Sequence, residues 1–211
     1  MKTIQLSRLD IGNIRKTDWL MSAENDCVLR NEPPRLRYLL CSTPRSGSTL
    51  VGDILHGTGA AGDPQEYLNS RLMAAWLRQK GKTDGILSLD EYLHDLECRR
   101  TTANGVFGIK VHFEHMMLVW QKDFAGMKDF LNRFDRIVFL TRQDKIAQAV
   151  SWYKALVTQI WTSEDKKVID PDDPRLTKQP PYRPDIIARK LADIVTQEAN
   201  WRAMLGGKRR P

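Results

Sequence analysis

The chain has 211 residues, 41% of them apolar and 28% charged, with a net charge of +7. That length suits one domain with a single sizeable core, and the composition is that of a globular protein, not a disordered or fibrous one. No apolar run approaches the roughly 20 residues of a membrane span, MKTIQLSRLDIGNIRKTDW lacks the apolar stretch of a secretory signal, and scattered Cys27, Cys41 and Cys98 form neither a disulfide framework nor a zinc site; a cytoplasmic location without a membrane partner is the expectation.

Residues 1–35 read as a polar, irregular N-terminal extension that ends at Pro33 and Pro34, where no regular element can run. LRYLLCS is then a short, continuously apolar run of the buried-strand type. STLVGDILHGTG follows as a helix, with Leu50, Ile54 and Leu55 at helical spacing and Gly57 and Gly59 as stops. NSRLMAAWLRQK is a second helix that ends at Gly81. LSLDEYLHDLECRRT is a third, with Ser88 as N-cap and Glu91 at capping-box spacing.

GVFGIKVHF returns to strand character, and RIVFLT, Arg136 to Thr141, is a further strand. It leads into a long amphipathic helix whose apolar stripe comprises Ile146, Ala149, Val150, Tyr153, Leu156, Val157 and Ile160. Thr162–Pro184 is rich in Pro and Asp and reads as a loop or lid, and a last helix covers about Asp185 to Leu205. Strands alternating with helices give an α/β fold with a mainly parallel central sheet.

The excess of positive charge favours a polyanionic partner. It gathers from Arg175 onward and includes Lys208, Arg209 and Arg210. No nucleic-acid-binding module accompanies it, so nucleic acid is not the expected partner; a solvated basic surface is the plainer reading.

The turn STPRSGST joins the first strand to its helix. It places the unpaired N–H groups and the positive dipole end of that helix around one point. Gly47 allows an anion to approach closely, Ser46, Ser48 and Thr49 supply hydroxyl donors, and Arg45 supplies a permanent positive charge. The turn therefore reads as an oxyanion cradle for a phosphate or a similar group. It is not a Walker A loop, because Ser48 stands where that motif has its Lys. An N-capping cluster, with Arg45 paired to a surface carboxylate, is the alternative.

TPRSGST resembles the loop that holds the 5′-phosphosulfate of 3′-phosphoadenylyl sulfate (PAPS) in sulfotransferases, with Arg45 where the animal cytosolic enzymes have Lys. RSGSTL followed by TGAAGDPQEYL is similar to the RSGSTL and TG-x-AGEPQE segments of the bacterial trehalose sulfotransferase family. NGVFGIKVHF, TRQDKIAQAVSWYKALVTQIW and EANWRAML resemble further segments of that family, in the same order, over roughly Tyr38 to Leu205.

The resemblance implies a P-loop-NTPase-like three-layer fold over residues 36–211, shorter at its C-terminus than the family pattern. It implies transfer of a sulfuryl group from PAPS, as co-substrate and without a metal, to a carbohydrate hydroxyl. Arg45, Ser46, Gly47, Ser48 and Thr49 would hold the 5′-phosphosulfate, and Arg142 and Ser151 the 3′-phosphate. Glu66, in the PQE triplet, would be the catalytic base beside Arg45. Asp63, Gln65, Glu66 and Lys110 would line the acceptor site, Asp63 replacing the family's Glu.

Plainer readings stand beside these. Arg142 is a charge at a helix start, Ser151 a serine bonding its own backbone, Glu66 a solvated loop carboxylate and Lys110 a surface lysine. His112 and His115 are an alternative base but read as structural. Trp76, Trp120, Trp152, Tyr153 and Trp161 read mostly as core, with Trp152 or Trp161 also suited to stacking on adenine or sugar. A PAPS-binding protein with impaired catalysis is the competing function, and the oligomeric state stays open between a monomer and a homodimer.

Overall fold

The computed structural model describes residues 2–6, 15–162, 165 and 169–206. Three parallel strands form the central sheet: β2 (Leu36–Ser42), β4 (Val106–His112) and β5 (Arg136–Phe139), in the order β4-β2-β5. Strand β2 is central, with Leu40 opposite Lys110 on one side and opposite Val138 on the other. Parallel neighbours need long crossovers, and helices supply them.

After β2 come α2 (Ser48–Gly57), α3 (Ser70–Gln79) and α4 (Leu89–Arg100); after β4, α5 (Phe113–Trp120) and α6 (Phe124–Asn132); after β5, α7 (Lys145–Thr158), α8 (Pro174–Thr177) and α9 (Pro184–Leu205). The α/β architecture with a parallel sheet, expected from the sequence, is the one observed.

Alternation along the strands sorts side chains onto two faces. Leu39, Cys41, Phe107, Ile109 and Val111 enter the main core, with α3, α4, α5, α6 and Trp201 of α9. Tyr38, Leu40, Ser42, Gly108, Lys110 and His112 lie on the other face. There the Tyr38 hydroxyl donates to Ala61 O, and Lys110 Nζ lies 3.3 Å from Thr49 Oγ1 of α2. The polar chemistry gathers on this second face.

Side chains cap several helices, Ser88 as expected from the sequence and Asn69 and Asp144 in addition. Ser88 Oγ accepts from the Glu91 N–H at 3.4 Å, Asn69 Oδ1 from Arg71 N–H, and Asp144 Oδ1 from Ala147 N–H at 2.8 Å.

Several expectations are corrected. The N-terminal 35 residues are not uniformly irregular: β1 (Thr3–Gln5) pairs antiparallel with β3 (Ile86–Ser88), and α1 (Arg15–Leu20) precedes a 3-10 turn at Ala23–Asn25. The fully buried Arg100 reaches back to this segment and donates to the carbonyls of Leu20, Ser22 and Asn25. Leu50 and Ile54 of α2 face solvent, whereas Ser48 and Gly52 are buried.

The stripe expected on α7 holds in part, with Ala149 and Tyr153 buried as expected. Ile146 and Leu156 are exposed, and Gln148, Ala149, Trp152, Tyr153 and Ala155 are buried. The Thr162–Pro184 loop contains the short α8. Helices α5 and α6 follow β4 where the sequence reading placed no element. The basic residues Lys208, Arg209 and Arg210, and loop residues 163, 164 and 166–168, lie outside the described residues. Among the described residues no helix is long and apolar enough to cross a membrane.

Candidate active site

The turn between β2 and α2 adopts a conformation that ordinary sequences avoid. Arg45 has φ 63° and Gly47, the N-cap of α2, has φ 94°. A side chain at Gly47 would be strained by its backbone, although the space where its Cβ would project is open, with no atom within 4 Å. Ser46 Oγ is buried and has no hydrogen-bond partner among the described residues. A buried hydroxyl without a partner costs free energy unless something satisfies it. Here it sits beside the first turn of a ten-residue helix.

Gln148, fully buried on α7, fixes the turn from behind. Its Nε2 donates to Thr43 Oγ1 at 2.9 Å and to Pro44 O at 2.7 Å. The sequence reading passed over Gln148. Its position in a helix interior carried no signal until the helix was seen to pack on the turn.

Arg45 does not lie across the turn. Its Nε donates to Ser151 Oγ at 3.0 Å, and its guanidinium also donates to Trp161 O. Burial and the nearby Arg142 guanidinium lower its pKa, against the opposing pull of Asp165 and Glu66. Guanidinium groups stay charged in proteins, so two like charges are held near each other.

Strand β5 ends at Phe139, two residues earlier than expected, and Arg142 lies three residues past that end, in the loop before α7. It shares a cleft of about 660 Å³ with Asp144, Ala147, Val150, Ser151 and Lys154. The structure thus brings together Arg45, Arg142 and Ser151, all proposed from sequence as anion contacts.

Glu66 is set by the turn that begins at Gly62, where φ is +71° and a Cβ would lie 2.9 Å from Gly108 N. The following chain runs along the free edge of β4, where the Lys110 N–H donates to Gln65 O at 2.9 Å. Side chains from β4 and α5 then meet the Glu66 carboxylate, itself about a quarter exposed at 26%. Oε1 lies 3.3 Å from Lys110 Nζ and 3.2 Å from His112 Nε2, and Oε2 lies 3.9 Å from His115 Nε2.

Burial pushes the Glu66 carboxyl up, but His112, Lys110 and His115 outweigh it and hold the group well below the ordinary glutamate value. His115 is pulled down to about 3, first by burial and then by His112, against the attraction of Glu66. Lys110 Nζ is also 3.3 Å from Thr49 Oγ1, so one ammonium links the cradle to the carboxylate.

Asp63 is placed differently. It is buried, its Oδ2 accepting from the Tyr67 hydroxyl at 2.9 Å and facing Arg100 Nη1 at 3.5 Å, while Oδ1 accepts from Gln65 Nε2 at 2.9 Å. Its partners are groups of the protein, and the geometry makes it an anchor for the PQE turn. Gln65 is drawn into the same anchor. His112 and His115 were read from sequence as isolated structural residues, yet both surround Glu66. Nothing in their spacing from residue 66 could have signalled this, because the sheet register creates the meeting.

The Stf0 sulphotransferase family matches residues 37–208. The chain is 30% identical to a protein named trehalose 2-sulfotransferase from Mycobacterium tuberculosis (strain ATCC 35801 / TMC 107 / Erdman), over 79% of this chain and 71% of that protein. It is 27% identical to a protein of the same name from Mycolicibacterium smegmatis (strain ATCC 700084 / mc(2)155), with the same coverage of each. The match spans the cradle, the Glu66 cluster and the Arg142 cleft together, and the chain belongs to the Stf0 sulphotransferase family.

Proposed function

We propose that the protein is a PAPS-dependent sulfotransferase that moves a sulfuryl group to a hydroxyl of a sugar. The observation that carries this reading is the buried hydroxyl of Ser46, without a hydrogen-bond partner among the described residues, in a turn with open space at Gly47, at the N-terminus of α2. Backbone N–H groups and a free hydroxyl donor converge there, as an oxyanion requires. Family membership supports the sulfuryl chemistry, and the names of the two mycobacterial relatives support a sugar acceptor.

In this reading the turn at Arg45 to Thr49 holds the 5′-phosphosulfate. Arg142 and Ser151 take the 3′-phosphate in the cleft they share. Glu66 receives the proton of the acceptor hydroxyl as the new oxygen–sulfur bond forms and the bond from sulfur to the phosphate oxygen breaks. Lys110 stands between Thr49 and Glu66 and neutralises charge that grows on the sulfuryl oxygens. Gln65 and Asp63 hold the turn that carries Glu66 and leave acceptor contacts to other groups.

Calorimetric titration with adenosine 3′,5′-bisphosphate tests the donor site. Tight binding without Mg²⁺, with AMP and ATP much weaker, is the expected result; equal affinities for AMP and the bisphosphate overturn the 3′-phosphate assignment. Turnover of PAPS against a panel of sugars tests the reaction. Binding without transfer to any sugar would leave a nucleotide-binding protein with impaired catalysis.

A further inference from the structure

The histidines beside Glu66 are joined to the protein through their other ring nitrogens. His115 Nδ1 faces the backbone N–H of His112 at 3.3 Å. An amide N–H can only donate, so Nδ1 is an acceptor without a proton, and the proton of the neutral ring is on Nε2. That nitrogen points toward Glu66 Oε2. His112 Nδ1 lies 3.0 Å from Ser42 Oγ, and its Nε2 lies 3.2 Å from Glu66 Oε1. An ionised carboxylate accepts only, so Nε2 of His112 carries a proton, and with that proton on Nε2 alone Nδ1 accepts from the Ser42 hydroxyl.

We infer that His112, held by Ser42, and His115, held by a backbone amide, are positioning residues that fix Glu66 as the base and present its Oε2 to the acceptor hydroxyl. Among the described residues, Oε1 has two close donors, His112 and Lys110, while Oε2 has only the more distant His115. Both histidines turn N–H groups toward Glu66, and their basic nitrogens are occupied, so neither takes the acceptor's proton.

The inference rests on the sulfotransferase reading and deepens it at one atom. Five charged or titratable groups act on Glu66: Lys110 and His112 from β4, His115 and Glu114 from α5, and Arg45 from the cradle turn. Lys110 and Arg45 remain in each of the His112 and Ser42 variants below, and a midpoint that rises only toward the ordinary carboxylate range leaves Glu66 ionised at neutral pH. The loss in the variants is therefore one of orientation, which for a misplaced reacting group reaches about 10²-fold.

Two measurements on the full chain test this. The first is the ¹³C-detected titration of the Glu66 side-chain carboxyl without any ligand, in the wild type, His112→Ala, His112→Gln and Ser42→Ala. The midpoint is expected to rise toward the ordinary carboxylate range in His112→Ala, less in Ser42→Ala, and least in His112→Gln, whose amide still donates at the Nε2 position. The second is the pH profile of turnover in the same variants. His112→Ala should lose about 10- to 100-fold in kcat with a smaller change in KM, its acidic limb should move to higher pH, and His112→Gln should restore most of the rate. Ser42→Ala removes one hydroxyl and keeps the inference testable where His112→Ala fails to fold.

An unmoved Glu66 midpoint in both His112→Ala and Ser42→Ala overturns the inference, whatever happens to turnover. A midpoint that moves while Glu66→Gln keeps full activity supports the clamp on Glu66 and removes the base assignment instead. His112→Gln as inactive as His112→Ala, with Glu66→Gln still active, would make His112 the base and overturn the inference.

Discussion

Arg45 Nε donates to Ser151 Oγ at 3.0 Å, across 106 positions of sequence. The contact joins the cradle turn to the helix assigned to the second anion, so a charge at either place is felt at the other. Removing Arg45 is expected to lower turnover by about 10²–10³-fold, the range for losing one donor to a developing oxyanion. Binding of the bisphosphate product should weaken less, because the charge on the transferring group is greatest in the transition state. Comparing kcat with the calorimetric Kd of Arg45→Ala checks this, and unchanged turnover would leave Arg45 a structural tie between the two segments.

Arg142 lines the cleft with Ser151. Arg142→Ala should weaken adenosine 3′,5′-bisphosphate by about 1.5–3 kcal/mol, the range of hydrogen bonds to charged groups, and leave AMP nearly unchanged. Equal losses for the two nucleotides would place Arg142 against the 5′ end instead.

Glu66→Gln keeps shape and most hydrogen bonds but cannot accept a proton. Turnover should fall by about 10²–10⁴-fold with donor affinity within a few-fold of wild type. Glu66→Asp should be intermediate. Because its neighbours hold the wild-type carboxyl well below the ordinary value, protonation of Glu66 should not limit turnover at any mildly acidic pH; a rate that fell with a midpoint near neutrality would point to another group.

The parts of this site that lie within one segment were legible in the sequence. Arg45 to Thr49 could be read as a cradle because strand, turn and helix are consecutive, and Ser88 could be read as a cap from its spacing to Glu91. The Glu66 cluster was not legible, since Lys110 and His112 meet the carboxylate only after β4 pairs with β2 and the PQE turn runs along its edge. The face of α2 was misread for a related reason. Apolar spacing nominated Leu50 and Ile54 for burial, but the side that packs is the one with Gly52, whose missing side chain admits Pro64 O at 3.3 Å from where a Cβ would be. Close approach selected the small residues, and hydropathy carries no record of it.

His115 makes stability depend on pH in a definite sense. Its ring titrates near 6.5 when unfolded and at about 3 in the fold. Between those values the unfolded chain binds more protons, so stability is full above the unfolded value and is lost as pH falls toward the folded one. From pH 7 to pH 5 the loss from this group is about 2 kcal/mol. Urea midpoints at the two pH values should show His115→Gln losing less on acidification than the wild type; equal losses would assign the acid sensitivity elsewhere.

Trp201 Nε1 donates to Ser42 O at 2.9 Å, 159 positions back along the chain, and its ring packs edge-on against Phe113 at 5.2 Å. Ser42 is the last residue of the strand that feeds the cradle and the partner of His112. During synthesis the N-terminal part of a chain emerges first, and here it waits for one of the last turns of α9. A nascent chain arrested before Trp201 carries every residue assigned to the anion sites and to the base, yet leaves the Ser42 carbonyl without this donor and the Phe113 ring uncovered. Order of translation thus makes the strand that leads into the cradle turn one of the first segments made, while one of its closing hydrogen bonds comes among the last.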